Sequence, residues 1–163
     1  MVVIIIVIVV ALIIIGRLAD RKEKVFRDEY RKDKKQLRVV LSRQEQLAAL
    51  SLMYHMANVD GEFENREQHA YARMCAEFMI QPDDAELISY IIMGENFATM
   101  TLQKSSARKQ DFVLGLILIM MLADNNIEDA ELTFAAEYAL KIGMSQERFH
   151  RISNEIIKLH TNS

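Results

Sequence analysis

The sequence predicts an all-α protein: an amino-terminal transmembrane helix, a charged helical stem, and a compact bundle of about seven helices built from two helix-loop-helix repeats. Three observations lead there. Residues Val2 to Ile15 are apolar without a break. From Ser42 onward apolar residues recur at helical spacing, and no segment sustains the period of two that a half-buried strand requires. An acidic octapeptide, Asp60-Gly61-Glu62-Phe63-Glu64-Asn65-Arg66-Glu67, returns 64 residues later as Asp124-Asn125-Asn126-Ile127-Glu128-Asp129-Ala130-Glu131.

The boundaries follow from composition: an anchor over residues 1–18, a stem over 19–41 and a helical domain over 42–160 of the 163 residues. A helix from Met1 to Gly16 is about 24 Å long against a ~30 Å hydrocarbon core, and Leu18 with a snorkelling Arg17 extends it. No basic residue precedes the apolar run and no small-x-small cleavage site follows it, which argues against a secretory leader. The basic residues lie after the run, so the positive-inside rule places the amino terminus outside and the rest in the cytoplasm, as a single-pass inner-membrane protein.

Arg17 to Arg38 holds ten basic and five acidic residues, a charge of +5, without Pro or Gly, and reads as an exposed helical stem. Its first turns, near Arg17 to Lys24, lie within reach of anionic headgroups. The remaining chain has ten basic and eighteen acidic side chains, or −8. That sign excludes the phosphate attraction on which nucleic-acid binding rests. Cys75 is the sole cysteine, so there is neither an intramolecular disulfide nor a multi-cysteine zinc site.

Within the domain, Ser42-Arg43-Gln44-Glu45 has the form of a capping box opening a first helix that buries Leu47, Leu50, Tyr54 and Ala57 and ends before Asp60-Gly61. A second helix is expected from about Asn65 to Met79, burying Ala70, Met74, Cys75 and Phe78. A third is expected from Pro82 to Met93, stopping at Gly94, with a short linking helix within Phe97 to Lys104. The second copy opens near Ser106. Its almost wholly apolar stretch Phe112 to Leu122 is too short to span a bilayer and reads as the central core helix. A helix from Asp129 or Ala130 to Ile142 ends at Gly143, and Ser145 caps a last helix burying Phe149, Ile152 and Ile156. The repeat register pairs Leu50, Met53, Tyr54 and Met56 with Leu114, Ile117, Leu118 and Met120, and Phe78, Ile80 and Ile88 with Ile142, Met144 and Ile152.

At Val59-Asp60-Gly61-Glu62 with Glu67, and more weakly at Ala123-Asp124-Asn125-Asn126 with Glu131, the chain resembles the tellurite-resistance TerB-like family, over roughly residues 42 to 160. Asn125 and Asn126 depart from the glycine and glutamate of that signature. The resemblance implies an all-α fold and a stress association. It is also similar to the amino-terminal part of membrane-anchored DnaJ-like co-chaperones, but the chain holds no His-Pro-Asp tripeptide, so J-domain activity does not carry over.

Asp60, Glu62 and Glu64 are spaced like the opening of an oxygen-donor loop for Ca²⁺ or Mg²⁺, but Tyr71 and Ala135 stand where an EF-hand needs its bidentate glutamate. If the two loops converge, Asp60, Glu62, Glu67, Asp124, Asn126 and Glu131 form a divalent-cation site. Two such carboxylates ~6 Å apart repel by roughly 3 kcal/mol at an effective dielectric of 20, so the cluster needs a cation, a proton or full hydration. The same residues also suit a purely local role: Glu67 and Glu131 as first-turn carboxylates, Asp60 and Asp124 as turn closers. His69 is a surface residue or an accessory ligand, and Cys75 reads as a small buried residue. The resulting expectation is a membrane-anchored, non-enzymatic module that meets protein partners on the cytoplasmic face. The alternatives are a metal-dependent enzyme using the acidic cluster, or a purely structural subunit of a membrane complex.

Overall fold

The computed structural model describes residues 39–61, 63–123 and 127–161; the expected anchor, the expected stem as far as Arg38, and Glu62, Asp124, Asn125 and Asn126 lie outside the described residues. Val39–Lys158 forms one compact unit. Among the described residues there are six helices and no strand: α1 (Arg43–Met56), α2 (Asn65–Glu77), α3 (Ala85–Gln103), α4 (Ala107–Met121), α5 (Asp129–Lys141) and α6 (Gln146–Thr161). None of them is long and apolar enough to cross a membrane.

The start and end of α2 recur in α5 after 64 residues, and α4 begins 64 residues after α1. The register holds in the core: Leu50 and Leu114, Met53 and Ile117, Met56 and Met120, and Ile80 and Met144 are all buried. It fails at the third helix of each copy. Ile152 is buried, but Ile88 is exposed and Leu87 takes the inward position. The helix of the first copy also starts later than expected. Asp84, not Pro82, opens α3, its Oδ1 accepting the backbone N–H groups of Glu86 and Leu87 at 2.9 and 3.2 Å.

Beyond their first turns both α1 and α4 are enclosed on every side, whereas the sequence pointed to α4 alone. Leu47, Leu50 and Met53 lie inside, but so do Ala48, Ala49 and Ser51, so the small residues of α1 face neighbouring helices rather than water. Tyr54 is only half-buried, part of an edge-to-face aromatic group with Phe63 and Tyr71. On α2 the inward residues are Glu67, Tyr71 and Cys75; Ala70, Met74 and Phe78 are half-buried. The twelfth position of an EF-hand is thus occupied in both copies by a core residue, Tyr71 and Ala135.

The expected stop at Gly94 is present and a second helix follows it directly, where a linking helix was expected, so α3 consists of two helical arms joined at a sharp bend. Gly94 has φ 85° and ψ 172°, and helical geometry resumes on either side. The first arm runs beside α1 in the same direction: Arg43 pairs with Asp84 at 2.7 Å, and the Ser51 hydroxyl donates to the Tyr90 carbonyl at 3.2 Å. The His55 ring Nε2 lies 3.2 Å from the Ile91 carbonyl oxygen. These side chains serve carbonyls of the arm's last turn, where intrahelical partners run out. The second arm returns to the start of α1, where the Ser105 hydroxyl donates to Glu45 at 2.6 Å, and the rings of Tyr90 and Phe97 meet across the fold with centroids 5.1 Å apart. Gln110 of α4 donates to the Leu102 and Gln103 carbonyls and so closes the second arm.

Two chain reversals at equivalent places differ in one residue. After α5, Gly143 turns at φ 74° and Met144 N–H bonds the Ala139 carbonyl at 2.9 Å; after α2, Ile80 N–H bonds the Cys75 carbonyl at 2.9 Å, but the turning residue is Met79 at φ 55°. A left-handed conformation strains a residue with a Cβ. Met79→Gly is therefore expected to stabilise the protein by roughly 0.5–1 kcal/mol in denaturant unfolding, and Gly143→Ala to destabilise it by a similar amount. Gly94 occupies a region open essentially to glycine alone, so Gly94→Ala is expected to cost about 1–3 kcal/mol although a Cβ there would meet no atom within 4 Å.

Candidate functional site

The two acidic loops deliver their last glutamates to the same structural position. Glu67 and Glu131 are the third residues of α2 and α5, and both are buried, 5% and 6% exposed. Glu67 Oε2 accepts the backbone N–H of Glu64 at 2.8 Å, and Glu131 Oε2 accepts that of Glu128 at 2.9 Å. Each carboxylate thereby satisfies a donor at a helix start and places negative charge at the positive end of the helix dipole. This is the local role that the sequence offered beside cation binding.

Asp60 is exposed, in the turn where Gly61, at φ 90°, donates its N–H to the Asn58 carbonyl at 3.1 Å. Among the described residues no three His, Cys, Asp or Glu side chains gather where a metal ion could be held. Of the six proposed ligands, Asp60, Glu67 and Glu131 are described, whereas Glu62, Asp124 and Asn126 are not. His69 is exposed, its Nδ1 2.6 Å from the Asn65 carbonyl oxygen of its own helix. Cys75 is buried, and burial pushes its thiol pKa up, away from the thiolate a nucleophile needs. Burial likewise raises the Tyr71 phenol, with the Cys75 thiol beside it. A recess of about 10 Å³ between Leu52, Thr99, Phe134 and Lys141 has room for about one water molecule.

A strongly perturbed carboxylate stands at a residue that the sequence presented only as a cap. Glu45 closes a full capping box with Ser42, accepting the Ser42 N–H at 2.7 Å while the Ser42 hydroxyl accepts the Glu45 N–H at 3.3 Å. The same carboxylate receives Lys109 Nζ at 2.7 and 3.0 Å and the Ser105 hydroxyl at 2.6 Å. Burial alone raises its pKa, but the bonds from Lys109, Ser105 and Ser42 outweigh that and hold it at about 2. Glu45 and Lys109 are themselves equivalent positions, 64 residues apart. The repeat register therefore held the one available signal: opposite charges at matched places beside two matched serines, Ser42 and Ser106.

Other ion pairs secure helix ends. Arg148 Nε reaches Asp111 Oδ1 at 2.6 Å and its Nη2 donates to the Ala107 carbonyl, fastening α6 to α4; Lys141 Nζ meets Glu95 at 3.1 Å, joining α5 to the second arm of α3. No family model, no curated protein and no solved structure matches the chain.

The Glu45 cluster gives acid stability a definite window. A carboxylate held at about 2 in the folded chain, against an ordinary 4.5, stabilises the fold fully above pH 4.5, and that contribution is lost as pH falls toward 2. Its size is on the order of 2–3 kcal/mol. Unfolding free energy measured from pH 6 to pH 2.5 is expected to fall less steeply in Glu45→Gln than in the wild type.

Proposed function

We propose that the protein is a membrane-anchored, non-enzymatic interaction module of TerB-like type. Residues 1–18 span the inner membrane once with the amino terminus outside, and the helical domain meets protein partners on the cytoplasmic face in a stress or tellurite response. The observation that carries this reading is the self-sufficiency of the core. Among the described residues, buried apolar side chains from Leu41 to Ile152 form one cluster. A domain with a continuous apolar core of its own does not need the fourteen apolar residues from Val2 to Ile15 to complete that core, which leaves them to a different solvent, and the basic residues after them favour the cytoplasmic side. The TerB-like assignment and its stress association rest on the motif residues around Asp60 and Glu67.

The same reading gives the acidic loops a divalent-cation role, with Ca²⁺ or Mg²⁺ held by Asp60, Glu62 and Glu67 and, from the second copy, Asp124, Asn126 and Glu131. The first loop dominates, because Asn125 and Asn126 leave the second with fewer charged oxygens.

Two measurements test these parts separately. Full-length protein is expected to stay with membranes through carbonate and high-salt washes, while a chain starting at Leu41 is soluble and helical; release of the full-length chain by either wash contradicts the anchor. In thermal unfolding of the shorter chain, cation at ten times its dissociation constant adds about 1.4 kcal/mol. That gain is expected to shrink more in Glu67→Gln than in Glu131→Gln. Equal wild-type melting in chelator and in millimolar cation leaves Glu67 and Glu131 as helix-start residues alone.

A further inference from the structure

The outward surface of α3 is unlike the rest of this acidic domain. Between Leu87 and Lys104 eight residues are exposed and none is charged. Five are large and apolar: Ile88, Ile92, Met93, Phe97 and Met100, with Ile92 79% and Met100 63% exposed. The fold at Gly94 sets the two arms side by side with the Tyr90 and Phe97 rings in contact, and Ile88, Ile92 and Met93 on the first arm and Phe97 and Met100 on the second are all exposed. Apolar and methionine-rich surface without charge has the composition of an interface centre.

We propose that this two-armed face pairs with the same face of a second copy of the chain, arm against arm about a two-fold axis running along the arms. Charge selects this occupant. The part of the chain after the stem carries −8, so two copies repel wherever charged surfaces meet, and this uncharged face is where they approach without that cost. Its edge is self-complementary. The first arm begins at Asp83, Asp84 and Glu86, of which Asp84 and Glu86 share the single guanidinium of Arg43, while the second arm ends at exposed Lys104. With the axis along the arms, the first arm of each copy lies over the second arm of the other. The acidic start then meets Lys104 twice, and the arms run antiparallel with opposed dipoles. A parallel overlay would set acidic ends together. This pairing goes beyond the proposed function and does not depend on cation binding.

Disulfide cross-linking of the full-length protein in membranes tests it, since Cys75 is 1% exposed and stays silent. Ile88→Cys and Met100→Cys are compared alone and mixed, with Leu140→Cys on α5, 77% exposed, as the collision control. The mixed pair is expected to cross-link on the order of tenfold faster than the control and faster than either variant alone, because paired faces hold the thiols at high effective concentration. Adding Ile92→Glu to both chains is expected to return the mixed pair to the control rate with helicity unchanged. A mixed rate no greater than the control overturns the proposal, as does faster linking of Ile88→Cys to itself, or linking to a different polypeptide in place of a second copy.

Discussion

The structure depends on enclosing two helices, α1 and α4, on all sides beyond their first turns. A helix with no face left for water must be enclosed by others, and here the two arms of α3 cover one side of α1 while α5 packs on α4. Arg148 fastens α6 to the same helix. The consequence for chemistry is direct. Polar groups that enter this interior are for the most part matched: Ser51 to the Tyr90 carbonyl, Gln110 to the Leu102 and Gln103 carbonyls, and Glu45 to Lys109 with its two serines, whereas the buried hydroxyls of Tyr71 and Ser153 have no hydrogen-bond partner among the described residues.

The Glu45–Lys109 pair sits where the two copies of the repeat meet at matched positions. The pair is partly buried, and an ion pair taken out of water is weak support for stability in general, because desolvation offsets much of the attraction. Here Ser42 and Ser105 supply the additional hydrogen bonds that such a pair needs, and the depressed carboxylate shows that they outweigh burial. Glu67 and Glu131 repeat the principle at the loop ends. Their carboxylates are turned inward onto the backbone at the starts of α2 and α5, which ties the acidic loops to helix geometry whether or not a cation also visits them.

The helix starts were legible where their signals are local: Ser42 with Glu45 as a capping box, and Glu67 and Glu131 as first-turn carboxylates; that Glu64 and Glu128 close boxes of the same kind emerged only in the structure. The 64-residue register was equally plain in the core residues. Three features were hidden for physical reasons. Small residues such as Ala48, Ala49 and Ser51 look the same in sequence whether they face solvent or a close-packed neighbour. Gly94 marked a stop and a following helix was expected, but that the second arm doubles back along the first depends on α1, which takes Ser51 and His55 to the first arm and Glu45 to Ser105 at the end of the second. Pro82 suits a helix start, yet Asp84 has the side-chain oxygen that closes the first turn. For the candidate site, the residue types at the loops were evident, but the inward turn of Glu67 and Glu131 was one of two open alternatives until their backbone partners were seen.

Amide hydrogen exchange on the full-length protein, residue by residue, tests most directly the claim that α1 and α4 form one shared core rather than the cores of two separate units. Central amides of both helices, around Leu50 and Leu114, are expected to exchange only through global unfolding and with the same opening free energy, while α6 opens sooner. If α1 with α2 opens at a free energy clearly different from α4 with α5, the two copies are independent units and the account fails.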